Sequence, residues 1–173
     1  MNSLNRSCTH RNEISQRLED GADDHANVHI PPPLIHLTFI LIAVVVNPFF
    51  PVTLPLSALL MGAGTGLILL PILIAGSAFR QFARNNNPVP PNQPVNGLMV
   101  QGPFRFTRNP LYLALALLQA GVGLISGNGW ILMTLPLVLL IVSRYVIGRE
   151  EAYLSRRFGQ AYLEYQSRVR RWL

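Results

Sequence analysis

Charge is the first thing this chain has little of. Only 13% of its 173 residues are charged, where a soluble domain carries about a quarter. From Pro31 to Phe79 there is no Asp, Glu, Lys or Arg at all. That run argues against an ordinary soluble core and for a membrane segment. Lysine is absent throughout, so every basic residue is an arginine. The single cysteine, Cys8, allows no disulfide framework within the chain and no cysteine-based metal site. The four histidines, His10, His25, His29 and His36, are scattered and form no ligand pattern, so no metal is expected. No apolar core lies near the start, which argues against a cleaved signal peptide and leaves the first apolar helix as an uncleaved signal-anchor. GxSxG, HExxH and P-loop patterns are missing, so covalent hydrolase chemistry is unsupported. No internal repeat is detectable.

The charges that remain are unevenly placed. The first thirty residues set Arg6, Arg11 and Arg17 against Glu13, Glu19, Asp20, Asp23 and Asp24, a net acidic polar tail expected to be disordered. Beyond it eleven arginines face only Glu150, Glu151 and Glu164. These arginines flank apolar segments instead of forming one soluble basic face. Anionic membrane lipids are therefore the expected partner, and nucleic acid is not.

Four apolar runs follow: about 34–50, 56–79, 111–125 and 130–147. The spacing predicts an all-α integral membrane protein, with four transmembrane helices in two hairpins and a C-terminal amphipathic helix. Residues 31–173 would form this multi-pass domain, and 1–30 the tail. "PVTLP" closes the first hairpin and "SGNG" the second. Pro71 predicts a kink in the second span, tolerable where neighbours satisfy the freed carbonyl. Residues 80–110 form a polar, Pro- and Asn-rich loop of about thirty residues, a length that is usually functional or disordered. After Arg149, Leu154, Phe158, Ala161, Tyr162, Tyr165 and Val169 recur at helical spacing, one apolar-aromatic face that lies along the membrane or folds back on the bundle. The arginines fall in the long loop and the C-terminal segment, so the positive-inside rule places both, and the N-terminus, in the cytoplasm. In a bacterium that membrane would be the inner one.

Three constellations carry the chemistry. In "GPFRFTRNPLY", Arg105 and Arg108 stand just ahead of a helix that begins at Pro110. A helix N-terminus with two guanidinium forks suits a carboxylate or phosphate, and equally suits plain headgroup anchoring. Glu150 and Glu151 follow the fourth span. Adjacent helical carboxylates diverge by roughly 100° and make a poor acid–base dyad, but an inward one would suit an ammonium group or ribose hydroxyls. "GAGTG" places Gly62, Gly64 and Gly66 in the second span, where small residues permit close helix packing.

The order of these blocks, "NPVPP…GLMVQGPFRFTRNPLYLAL", a helical hairpin, then "REEAYLSRRFGQAYLEYQSRVRRWL", resembles the isoprenylcysteine carboxyl methyltransferase family. That family belongs with the phospholipid methyltransferases. The resemblance covers about 88–173 and implies methyl transfer from S-adenosyl-L-methionine. It implies a cofactor wall of Gly102, Arg105, Arg108, Asn109, Pro110 and Tyr112, opposed by Glu150 and Glu151. Arg108 would orient an acceptor carboxylate or phosphate, with Asn109 beside it in the catalytic set. Eukaryotic members usually carry His where Asn109 stands, so a hydrogen bond is expected there and a proton relay is not. Phe104, Tyr112 and Tyr153 offer aromatic faces for a sulfonium. Methyl transfer is a direct displacement, so such a site mainly aligns the reactants and excludes water. The expected acceptor is lipidic or small and hydrophobic, methylated on a carboxylate oxygen or an amine. Two rivals stay open. NADPH-dependent sterol or steroid reductases show a similar Asn/His-Pro-x-Tyr block in longer chains, and a non-catalytic membrane interaction protein would use both motifs as anchors.

Overall fold

Prolines and turn residues decide where the helices of this protein begin and end. The computed structural model describes Ala26 and residues 28–89 and 93–173. Helix α1, Pro32–Val46, opens on prolines and closes at Asn47. It is shorter than the expected 34–50 run, because the chain turns at Asn47–Pro48. Helix α2, Ala58–Arg84, is capped by Ser57, whose hydroxyl accepts from Leu60 N. It continues through Pro71 and past the expected end at Phe79. Polar residues extend it because Gln81 is itself buried, against Gly102. Helix α3, Pro110–Ser126, has proline in its first turn, where a missing N–H costs nothing. It ends at Gly127 with φ +64°, a left-handed cap that favours glycine.

Helix α4, Gly129–Ile141, is capped by Asn128, which accepts from Trp130 N. It runs into a π-helical segment, Val142–Ile147, and on into α5, Gly148–Phe158. Val142, Val146 and Ile147 in that segment are completely buried. The single amphipathic C-terminal helix read from the sequence is corrected here. Gly159 adopts φ +51°, ψ −126°, and breaks it into α5 and α6, Gln160–Arg168. The break turns Tyr153, Tyr162 and Tyr165 together into the interior, while Ala161 stays exposed.

Helices α2 and α3 pack most extensively, and α1 lies against α4 and α3. Of the three "GAGTG" glycines, only the middle one makes the close approach. A Cβ on Gly64 would meet Ile125 at 2.7 Å and the Gly121 carbonyl at 3.2 Å, whereas Gly62 and Gly66 have open space. The two hairpin turns are stitched to each other: Leu54 N donates to Gly127 O at 2.8 Å and Gly129 N to Val52 O at 2.7 Å. Deeper in, His36 Nδ1 and Gln119 Oε1 are 2.7 Å apart, and Gln119 Nε2 donates to Ile131 O at 3.2 Å. Such interhelical side-chain hydrogen bonds are typical glue between membrane helices.

Two helical stretches, Ala58–Arg84 and Gly129–Phe158, are long and apolar enough to cross a membrane, and α1 and α3 are shorter apolar helices. Large apolar side chains stand exposed along α1 and α2, among them Leu41, Val45, Leu59 and Leu73. A contiguous apolar surface of this kind needs lipid or another partner. The acidic tail lies almost wholly outside the described residues. The packed unit nevertheless begins ahead of Pro31, because Ala26 and Val28 are buried with Ile35, Val138 and Tyr153.

Candidate active site

The polar loop, the start of α3, α5 and α6 meet at one end of the bundle and enclose a cleft. The loop owes its shape to Asn87. Its side-chain oxygen accepts from Asn96 N at 2.8 Å and Gly97 N at 3.0 Å, while its amide nitrogen donates to Gly97 O at 2.7 Å. Val95 N donates to the Tyr153 hydroxyl at 3.0 Å, tying the loop to α5. These contacts present Val95, Leu98 and Met99 to the cleft. The "GPFR" segment, Gly102–Arg105, is one 3₁₀ turn. Gly102 has φ +62°, and a Cβ there would meet the Gln81 side chain at 3.0 Å. That turn buries Phe104, whose ring meets Phe82 edge-on at 6.0 Å.

The cleft has a cavity volume of ≈ 130 Å³ and is partly open to solvent. Its walls are mostly apolar, with Arg108, Asn109, Glu150 and Glu151 as polar exceptions. The Arg108 Nη1 lies 3.1 Å from Glu151 Oε1, with only 10% and 13% of the two side chains exposed. This is an ion pair whose angle falls short of a hydrogen bond, and Arg108 Nε has no acceptor among the described residues. The Tyr112 hydroxyl donates to Glu150 Oε1 at 2.5 Å. The two adjacent carboxylates therefore diverge as helical geometry requires, one to Tyr112 and one to Arg108.

Helix α6 closes the far wall. Burial pushes the Tyr162 phenol up from its ordinary value. Glu151 adds to that, and the hydrogen-bonded Arg108 guanidinium opposes it. The Tyr165 phenol is raised mainly by burial, and it donates to Phe104 O at 2.7 Å. Both phenols are thus held neutral: Tyr165 donates to Phe104 O, whereas toward the Arg108 guanidinium the Tyr162 oxygen accepts.

Six of the eight residues anticipated for the site line this cleft: Arg108, Asn109, Pro110, Tyr112, Glu150 and Glu151. Gly102 and Arg105 do not. Gly102 shapes the turn behind it, and Arg105 is exposed to solvent. Phe104 and Tyr153 are wall residues as well. The Asn109 amide nitrogen is engaged at 2.9 Å with Arg171 O. Sequence reading missed Asn87, Thr107 and Arg171. "NNN" identified only a break in helix, and nothing local connects Arg171 to Glu151, twenty residues away.

A family model described as phospholipid methyltransferase matches residues 59–161. An uncharacterized protein of Haemophilus influenzae is 36% identical over 63 residues, which is 36% of this chain and all of that protein. No solved structure matches.

Proposed function

The chain belongs to the phospholipid methyltransferase family, and from that premise we propose that it transfers the methyl group of S-adenosyl-L-methionine to a lipidic or small hydrophobic acceptor. As a membrane methyltransferase of four spans it would work at the cytoplasmic face, where its arginines cluster. The observation that carries this reading is one cleft holding Arg108–Glu151 at 3.1 Å beside Tyr112–Glu150, lined by aromatic rings.

The donor set fits the cofactor. Arg108 Nε, buried and without an acceptor among the described residues, suits a carboxylate. Glu150 and Glu151 suit an ammonium group and hydroxyls. Phe104, Tyr112 and Tyr153 supply faces for a cation. Bound there, S-adenosyl-L-methionine supplies an electrophilic methyl group on its sulfonium.

The chain's own part is alignment and exclusion of water. Tyr112 fixes the Glu150 carboxylate, and the 3₁₀ turn with Phe104 keeps one wall apolar. Arg108 carries a donor for an anionic group of cofactor or acceptor, so it both binds and orients. Asn109, with its amide nitrogen held by Arg171 O, lines the cleft beside Arg108.

Titration of the protein in lipid nanodiscs with S-adenosyl-L-methionine, and separately with NADPH, tests the cofactor. Saturable binding of the first alone is expected, and binding of NADPH alone overturns it. Labelled methyl incorporation into total lipid and small-molecule extracts then identifies the acceptor, with product hydrolysis separating an ester from a methylated amine.

A further inference from the structure

The last five residues form a strap that docks on residues 107–109 and on Glu151, and it lies beyond the matched region 59–161. After α6 the chain extends at Val169 and returns to the "FTRNP" segment. Arg108 N donates to Arg170 O at 3.0 Å. Thr107 Oγ1 and Asn109 Nδ2 both donate to Arg171 O, at 3.2 and 2.9 Å. Trp172 Nε1 donates to Ser143 Oγ at 3.2 Å, in the π-helical segment. Between these anchors the Arg171 guanidinium forks onto Glu151, Nε to Oε1 at 3.0 Å and Nη2 to Oε2 at 2.5 Å.

This geometry makes Glu151 the shared partner of two arginines with unlike situations. Arg108 is enclosed in the cleft, whereas Arg171 is 38% exposed and approaches from the strap. A carboxylate gripped on both oxygens by one planar fork loses its rotational freedom. Its remaining lone pairs then face Arg108 and the cleft in a single orientation. Hydrogen bonding to Glu151, and after it the Glu151 charge, raise the Arg171 pKa further above its ordinary value.

Resting on the methyltransferase reading above, we propose that Arg171 is a positioning residue. It holds the Glu151 carboxylate in the orientation that receives the methyl donor, and the strap carries it there. The role is distinct from strap docking, because docking uses backbone carbonyls and Trp172, whereas positioning uses the guanidinium alone.

The chain has two tryptophans, and this permits a separate readout. Trp130 sits at the opposite end of the bundle, donating to Phe50 O. In a Trp130→Phe background with an unchanged thermal transition, fluorescence reports Trp172 and hence the strap. Calorimetric titration with S-adenosyl-L-methionine then compares the parent, Arg171→Ala and Arg171→Lys. The expected result is about tenfold weaker binding in R171A, on the scale of one charge-assisted hydrogen bond. R171K should recover part of it, keeping the charge without the fork. Trp172 emission should be the same in all three. Unchanged or tighter binding in R171A overturns the proposal, as does an emission shift showing that the strap has come away. A parent that binds no S-adenosyl-L-methionine while its strap stays docked instead overturns the functional reading on which this rests.

Discussion

The two ends of the bundle are built from similar materials and finished differently. At the turn end, polar groups find partners within the chain. Asn128 caps α4 and donates to Ala43 O, Asn47 accepts from Val52 N, and Trp130 donates to Phe50 O. At the arginine-rich end, two guanidinium nitrogens of Arg108 have no hydrogen-bond acceptor among the described residues, Nη1 having only its ion pair, and two carboxylates face a cleft. Buried polar groups are ordinarily satisfied; among the described residues the exceptions are His36 Nε2, inside the bundle, and Arg108 Nε and Nη1, at the cleft. The turn end secures the fold, and the other end holds back some of its hydrogen-bonding capacity.

Substitutions at each end separate these roles. The largest effect is expected from Glu151→Ala, which strips Arg108 and Arg171 of their shared carboxylate. Truncating one member of a buried charged set at a binding site costs about 3 kcal/mol of binding, so calorimetry should show affinity for S-adenosyl-L-methionine lowered about 100-fold or more, in a chain still folded by circular dichroism. Retention of full affinity would remove Glu151 from the site. Tyr112→Phe comes next. It deletes the hydroxyl on Glu150 and should weaken binding about tenfold, with little change in thermal midpoint.

At the turn end, Asn128→Ala should do the reverse. Loss of the cap costs about 1 kcal/mol, read in a denaturation curve, while cofactor affinity stays within about twofold of the parent. A binding defect there would mean that the two ends are coupled. The smallest effect is expected from Arg105→Ala. The side chain is exposed beyond the cleft wall, so affinity should again change less than about twofold, a scale typical of surface substitutions. A tenfold loss would bring Arg105 back into the site.

Much of the architecture was legible locally. Apolar runs announced the helices, because burying or lipid-facing twenty apolar residues dominates every other local preference. Their ends were less legible. Helix α2 outran its apolar stretch because Gln81 packs against Gly102, a contact from across a loop. The break at Gly159 was missed because the apolar period continues through it, and only the observed φ of +51° reveals the turn. In the site, the "TRNPLY" block and Glu150–Glu151 were readable as candidates by residue type. Arg105 was readable for the same reason but sits outside the cleft, since a 3₁₀ turn directs consecutive residues to different sides.

By itself, then, the sequence determined that the chain is helical, apolar and arginine-ended, with a polar loop and two carboxylates at that end. Those properties follow from composition and spacing, which act over a few residues. Only the tertiary structure decided that Glu150 would be met by Tyr112, that Glu151 would be shared by Arg108 and Arg171, and that the last residues would return to dock on residues 107–109. Such pairings depend on how α3, α5 and α6 pack against one another. Helix packing brings together residues that no local period connects.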